Sequence, residues 1–378
     1  MTAFKPEADP DGLLEYSVVF TERALNHMSP AFQQVMRDLS AMLREVYAAE
    51  AAVIVPGGGT VGMEAVARQL AQDRCCLVLR NGWFSYRWSQ ILERGRIAAS
   101  TAVLQAHPLS DDREAAFAPP PIGDIVAAIE REAPEVVFAP HVETSAGILL
   151  PDDYIREIAR ATHAVGGLFV LDCVASGALW VDMAGLGVDV LISAPQKSWS
   201  ATPCAALVML GPDALARVEA TQSSSFACDL GQWLQIMRAY EDGGHAYHAT
   251  MPTDGLRHLR DAMRETIAFG LERARKEQIA LGDGVRAALA ARGFASVAAE
   301  GFEAPGVVVC HTDDDGIHSG RRFAEQGLQI AKGVPLMCGE RDDFRTFRIG
   351  LFGLDKLADV PRTVGRFAVA LDAIGATD

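Results

Sequence analysis

Positive charge, paired cysteines and long apolar runs are all scarce in this sequence, and each shortage closes off a class of function. Lysine and arginine number 34 against 49 aspartates and glutamates, a formal net charge of −15. That balance argues against nucleic acid and against an anionic membrane surface as partners. It leaves room for small anionic substrates, because a local arginine can outweigh a global sign. The seven cysteines (75, 76, 173, 204, 228, 310, 338) form no CxxC pair and no zinc-like spacing. Several lie in apolar runs, where a free thiol packs as a small hydrophobe. No apolar run nears the roughly 18 residues of a membrane span and no signal peptide is seen, so a reducing cytoplasm is the expected location. His245 and His248 stand close together without an acid beside them, a poor metal set, and no metal is expected. Repeats, low-complexity segments and a flexible interdomain linker are absent as well.

What is present describes an ordered protein with a large core: 378 residues, 49% hydrophobic and 22% charged, enough for two domains. Phe32, Val35, Met36, Leu39, Met42, Leu43 and Val46 recur at helical spacing and predict a helix over Pro30–Tyr47. Buried strands are expected at Ala51–Val55, Cys75–Arg80, Ala99–Leu104, Glu135–Pro140, Leu168–Leu171, Val188–Ile192 and Ala205–Leu210. Helical patterns follow Thr60 through Gln72, and run over Ile122–Glu132 and Pro151–His163. Strand and helix in alternation mean right-handed crossovers and a mainly parallel sheet. The stretch Ser223–Gly244 reads as a loop with a central helix. A long helical pattern then runs from Asp254 to about Arg292. Beyond it, strand Val307–His311, helix Ile317–Gln326 and strand Thr346–Ile349 suggest a small α+β lid. The expected division is an arm over residues 1–20, a large domain over 21–265 and a small C-terminal domain over 266–378.

Two of the apolar runs end in chemistry. Leu168–Leu171 meets Asp172, and Val188–Ile192 leads to Ser193-Ala194-Pro195-Gln196-Lys197, 25 residues later (197 − 172). Runs of this kind read as parallel strands buried on both faces, and in open α/β sheets ligands bind outside the carboxyl ends of such strands. A lysine in that crevice can form a Schiff base, and a carboxylate can keep a pyridine nitrogen protonated, which together suit pyridoxal 5′-phosphate (PLP). Alone, Asp172 would read as a turn residue and Lys197 as a solvated surface group. A second feature, Pro56-Gly57-Gly58-Gly59-Thr60, falls between a strand and a helix, where backbone N–H groups and the helix dipole can receive an anion. As bare aromatics, Trp83, Phe84 and Trp88 would be core residues.

Together these motifs resemble the class V aminotransferases of PLP fold type I, particularly the alanine–glyoxylate and serine–pyruvate aminotransferases. The family's V-D-x-V-A-S is similar to Leu171-Asp172-Cys173-Val174-Ala175-Ser176, and its S-x-x-Q-K to Ser193 through Gln196 and Lys197. Asn81-Gly82-Trp83-Phe84-Ser85-Tyr86-Arg87 resembles N-G-x-[WF]-x-x-R, and His141-Val142-Glu143-Thr144-Ser145-Ala146-Gly147 resembles H-x-E-[ST]-[ST]-x-G. Tyr247, Thr250 and Pro252 fit Y-x-x-T-x-P, and Phe347-Arg348-Ile349-Gly350 fits L/F-R-I-G.

The resemblance implies an α/β fold with a large domain, its mainly parallel sheet sandwiched by helices, and a small C-terminal α+β domain. It implies PLP as cofactor, with Lys197 and Asp172 catalytic. It puts Gly58, Gly59, Thr60 and Gln196 at the phosphate, Phe84 over the ring, and Thr144 at the 3′ oxygen. Val174 follows the acid, and Arg348 holds the substrate carboxylate. Tyr247 and Thr250 reach the neighbour's phosphate across a homodimer. His141 and Glu143 read as structural. The implied reaction moves an amino group from a small amino acid of the alanine or serine type to a 2-oxo acid of the glyoxylate or pyruvate type, with ping-pong kinetics. The transaminases of 2-aminoethylphosphonate and ureidoglycine are near relatives.

The resemblance covers roughly residues 50 to 360. It departs at Phe20–His27, where the family often has G-P-G-P near the substrate pocket. A second enzyme reading is a class V lyase of the cysteine desulfurase or selenocysteine lyase kind, with Cys338, ten residues before Arg348 (348 − 338), as nucleophile. Its loop does not match those families, and Phe84 stands where they stack a histidine. A non-enzymatic ligand sensor would need a lost lysine or an appended DNA-binding module, and neither is seen.

Overall fold

The computed structural model describes residues 8–375, so the first seven residues of the expected arm lie outside the described residues. Helix α1 (Pro30–Tyr47) begins at Ser29, whose side chain accepts from Phe32 N, with Pro30 in the first turn where no N–H is needed. The large sheet is built from β1 (Ala51–Pro56), β2 (Cys75–Arg80), β3 (Ser100–Gln105), β4 (Val136–Pro140), β5 (Leu168–Asp172), β6 (Val190–Ser193) and β7 (Ala205–Leu210). Their order across the sheet is β1-β7-β6-β5-β4-β2-β3. Neighbours from β6 to β3 run parallel, whereas β7 is antiparallel to both β1 and β6. Strands β4 to β7 are buried at every residue, which is why their sequences are unbroken apolar runs rather than alternating ones.

Helices α2 (Gly59–Leu70), α3 (Trp83–Gly95), α4 (Ile122–Glu132), α5 (Asp152–Ala164), α6 (Pro212–Ala220) and α7 (Leu230–Glu241) accompany the sheet. Side chains such as Leu77, Phe138, Val170 and Leu207 are fully buried, each contributing about 1.5–3 kcal/mol relative to exposure. Trp88 of α3 stacks on Phe138 of β4 at 4.3 Å between centroids. Because β1, β2, β4, β5 and β6 all point the same way, the loops after their carboxyl ends collect at one edge.

The helical pattern from Asp254 to Arg292 is two helices, α8 (Thr253–Phe269) and α9 (Leu271–Ala290). They break at Gly270, whose φ of +99° is closed to most other residues. The expected helix Ile317–Gln326 is likewise two short turns, Asp315–His318 and Arg321–Glu325, interrupted by Gly320 at φ +81°. A terminal helix, α10 (Val360–Gly375), was not anticipated. A smaller antiparallel sheet, in the order β8 (Val307–His311), β10 (Thr346–Gly350), β9 (Ala331–Lys332), packs with α9 and α10 around Leu281, Val285, Phe323, Phe347 and Leu371.

A third apolar cluster, including Val142, Ala146, Ile148, Ala175, Val309 and Leu336, joins the loops at the carboxyl edge of the large sheet to the small one. Buried Gln278 of α9 adds hydrogen bonds to Pro305 O and Leu351 O, both 3.2 Å. These contacts hold β10 over the crevice. Among the described residues, no helix is long and apolar enough to cross a membrane.

Candidate active site

Asp172 is the last residue of β5, and β6 leads directly into a one-turn helix, Pro195–Ser198, that carries Lys197. The parallel register pairs Ile192 with Asp172, so both functional side chains leave the sheet at the same edge. Asp172 is 8% exposed; its Oδ1 accepts from Val174 N at 2.9 Å, and no ion pair engages it among the described residues. Burial pushes its carboxyl up to about 6, opposed by the Val174 N–H and by Lys197. Burial also lowers the Lys197 ammonium, while Asp172 pulls it back up. The Lys197 Nζ lies 5.8 Å from the centroid of the Phe84 ring and 5.5 Å from that of Phe352.

Phe84 is held by the start of α3. The fully buried carboxylate of Glu143 accepts from Phe84 N, Ser85 N and Ser85 Oγ, and from Ser145 N and Oγ, at 2.7–3.2 Å. An anion satisfying the open N–H groups of a helix start is a strong structural tie. A Cβ on Gly82 would lie 2.1 Å from Ser145 Oγ, so only glycine lets the two loops meet. His141 holds the other side: its Nδ1 is 2.7 Å from Ser176 Oγ, and burial drops its pKa to about 4, leaving it neutral.

The glycine loop forms a cup. Gly58 is the N-cap of α2, and a Cβ built there meets nothing within 4 Å; a Cβ on Gly59 would meet Val174 Cγ2 at 2.6 Å. The loop is therefore open on the side of Gly58, while Val174 packs against Gly59 and closes one wall. Thr60 Oγ1 accepts from Arg87 Nη1 at 2.9 Å. Thr144 is half-buried and its hydroxyl makes no hydrogen bond among the described residues, and Gln196 is exposed beside Lys197. These residues fit PLP: a lysine for its aldehyde, a buried acid lacking a cation for its ring nitrogen, an aromatic for its face, and a donor-rich cup for its phosphate.

Arg348 reaches the same crevice from β10. Its Nε donates to Lys332 O at 2.9 Å, and its guanidinium carbon lies 5.5 Å from the Phe84 centroid. Burial lowers its pKa, with Glu143 raising it. Lys197, Phe84 and Arg348, far apart in sequence, thus converge. Tyr247 and Thr250 do not join them: they share a 3.1 Å hydrogen bond on an exposed surface, where Tyr247 packs on His27 at 5.4 Å. Arg87, the arginine closing the Asn81–Arg87 motif, was not singled out from sequence. It lies 4.7 Å from the Phe84 centroid, and the motif's own last position was the signal for it.

Cys338 sits near the crevice but is clamped. Glu340 accepts from Leu336 N, Met337 N and Cys338 N at 2.6, 2.9 and 2.8 Å, and the thiol contacts Arg80 O at 3.3 Å. Burial pushes it up to about 12, so it is a protonated thiol rather than a nucleophile on a mobile loop. Among the described residues, no group of three or more His, Cys, Asp or Glu is placed to hold a metal ion.

The family model "Aminotransferase class-V" matches residues 10–333. A 2-aminoethylphosphonate–pyruvate transaminase from Burkholderia ambifaria is 32% identical over 372 residues, covering 94% of this chain and 93% of its own. A second, from Burkholderia lata, is 31% identical over 370 residues, covering 94% of each chain. Among solved structures, an alanine–glyoxylate aminotransferase from Nostoc sp. superposes with a TM-score of 0.79 at 21% identity, covering 93% of this chain and 89% of its own. The chain belongs to the class V aminotransferase family and has the PLP fold type I architecture.

Proposed function

We propose that this class V aminotransferase binds PLP through Lys197 and moves an amino group from a small amino donor to a pyruvate- or glyoxylate-type 2-oxo acid. The donor is of the alanine or serine type or the 2-aminoethylphosphonate that names its relatives. The observation that carries the reading is the meeting of Lys197 and Arg348 at the Phe84 ring, beside a buried Asp172. PLP, when bound, takes up the donor's amino group and accepts into its ring the electron pair left when the adjacent carbon loses its proton.

The protein's own residues do the rest. Lys197 holds the cofactor; once released, its Nζ removes the proton from the donor carbon, a role helped by an ammonium pKa already lowered by burial. Asp172 keeps a proton on the ring nitrogen. Phe84 packs on the ring face and excludes water. The cup at Gly58, Gly59 and Thr60 receives the phosphate, and Gln196 adds a side-chain amide. Arg348 forks onto the carboxylate of the 2-oxo acid, or of an amino-acid donor, which lysine does poorly, and so sets which bond stands perpendicular to the ring.

The exposed Tyr247–Thr250 pair supports a homodimer in which each chain completes the other's phosphate site. The seven unpaired cysteines support a reducing, cytoplasmic setting. The test is a panel of alanine, serine, 2-aminoethylphosphonate and ureidoglycine against pyruvate and glyoxylate, following the amino product. Turnover of one donor with alternating half-reactions is expected; a PLP-loaded protein that moves no amino group, or that releases sulfide from cysteine, overturns the reading.

A further inference from the structure

Arg87 is a guanidinium inside the crevice with no carboxylate to neutralise it. It lies one helical turn after Phe84 on α3, three residues on (87 − 84), and so shares that residue's face. Its guanidinium carbon sits 4.7 Å from the Phe84 centroid while Nη1 donates to Thr60 Oγ1 at 2.9 Å. Among the described residues it makes no ion pair. Of the nearby carboxylates, Glu143 is taken up by the start of α3, and Asp172, whose Oδ1 accepts from Val174 N, makes no ion pair with Arg87 among the described residues. Arg87 is still close enough to lower the pKa of both Asp172 and Lys197. In a chain of net charge −15, a cation without an ion pair stands beside the N-terminus of α2, where the cofactor's phosphate is expected.

We infer that Arg87 binds the cofactor's phosphate, supplying from α3 the positive charge that the glycine loop itself lacks. The inference rests on the PLP reading above and deepens it. Two arginines flank Phe84 and divide the anions between them. Arg348, on the small sheet, takes the substrate carboxylate; Arg87, tied to Thr60, takes the phosphate. A guanidinium suits a phosphate because it offers parallel donors to two oxygens.

The experiment strips the cofactor and titrates the apoprotein with PLP and, separately, with pyridoxal, which lacks the phosphate, following visible absorbance and tryptophan fluorescence. Arg87→Gln should weaken PLP about 10- to 100-fold, the range for a charged hydrogen bond, and leave pyridoxal within about twofold. Arg87→Lys should recover part of the loss, whereas Arg348→Gln should leave PLP affinity unchanged and raise the KM of the amino acceptor. Inorganic phosphate should raise the melting temperature of wild-type apoprotein and fail to raise that of Arg87→Gln, which reads the site even if the variant loads poorly. An unchanged PLP-to-pyridoxal ratio overturns the inference. So does a KM rise specific to 2-aminoethylphosphonate with PLP binding intact, because Arg87 would then serve the substrate. A wild-type protein that binds no PLP at all instead overturns the parent reading.

Discussion

The crevice at the sheet edge and the surface carrying Tyr247 and Thr250 are built on opposite terms. In the crevice the key side chains are held by their own chain: Asp172 accepts from Val174 N, Phe84 is fixed through buried Glu143, and Arg348 donates to Lys332 O. Tyr247 is 54% exposed, and its hydroxyl shares a hydrogen bond with Thr250. A side chain that loses rotamer freedom without burial repays little within one chain. The contrast separates what one subunit assembles by itself from what waits for a surface outside it.

Removing the amine at the centre of the crevice should have the largest effect. Lys197→Ala should lower turnover by about 10⁴-fold or more, the upper range for a positioned general base, with the cofactor retained only weakly. The chain has five lysines (Lys5, Lys197, Lys276, Lys332 and Lys356), so borohydride reduction followed by peptide mapping gives a clean answer. The pyridoxyl group should be on Lys197. Label on any other lysine would break the account of the crevice.

Asp172→Asn comes next, with a rate loss of about 10²–10³-fold, as for other preorganised charges. It also has a cofactor-free signature. Burial holds the native carboxyl at about 6 against an ordinary 3.8, so between those values the folded protein binds more protons than the unfolded one. Stability therefore falls as pH rises through that window, by about 3 kcal/mol once the carboxylate is fully ionised. In melting curves of the two apoproteins, Asp172→Asn should be the more stable at pH 7 and gain nothing near pH 3.5. Coincident curves at pH 7 would show that the carboxylate is not strained without its partner.

Much of this was legible in sequence, for a physical reason. Strands buried on both faces must be apolar throughout, so Cys75–Arg80 and Ala205–Leu210 fall where the runs lie. Asp172 and Lys197 stand out because they interrupt such runs. The breaks at Gly270 and Gly320 were not legible: a glycine inside a helical pattern shows no sign of its φ until tertiary packing sets it. Helix α3 was hidden by the aromatic-rich Trp83–Trp88, whose helical start depends on Glu143, about 60 residues away (143 − 84 = 59). Arg87 was overlooked because its meaning lies in a contact with Thr60, 27 residues earlier (87 − 60). The roles of Tyr247 and Thr250 rest on the family resemblance alone, since among the described residues no contact engages them with the crevice.

The exposed side of the comparison should yield a smaller loss. Tyr247→Phe with Thr250→Val should weaken PLP retention by about tenfold, two hydroxyl donors to a charged phosphate being partly replaced by water. If the pair serves a partner's site, mixing this variant with an inactive Lys197→Ala chain restores one intact site per mixed dimer. Activity that fails to return on mixing, together with a monomeric wild type that keeps its cofactor, would place the pair outside the site.

The smallest effect is expected at Cys338, and it tests whether being buried beside the crevice is the same as taking part in it. The thiol is 6% exposed, and its own backbone N–H is tied to Glu340 at 2.8 Å. With its pKa pushed up to about 12, almost none of it is thiolate at neutral pH, and the nucleophilic form is the thiolate. Moving such a loop to bring sulfur to a substrate would break the three backbone hydrogen bonds that Glu340 accepts. Cys338→Ala should therefore keep transamination within about twofold and cost on the order of 1 kcal/mol of stability, as an ordinary core truncation does. The readouts are the amino-product assay and the melting temperature, run beside a sulfide assay with cysteine. Loss of turnover with cofactor still bound, matched by sulfide release from the wild type, would move Cys338 from the scaffold into the chemistry.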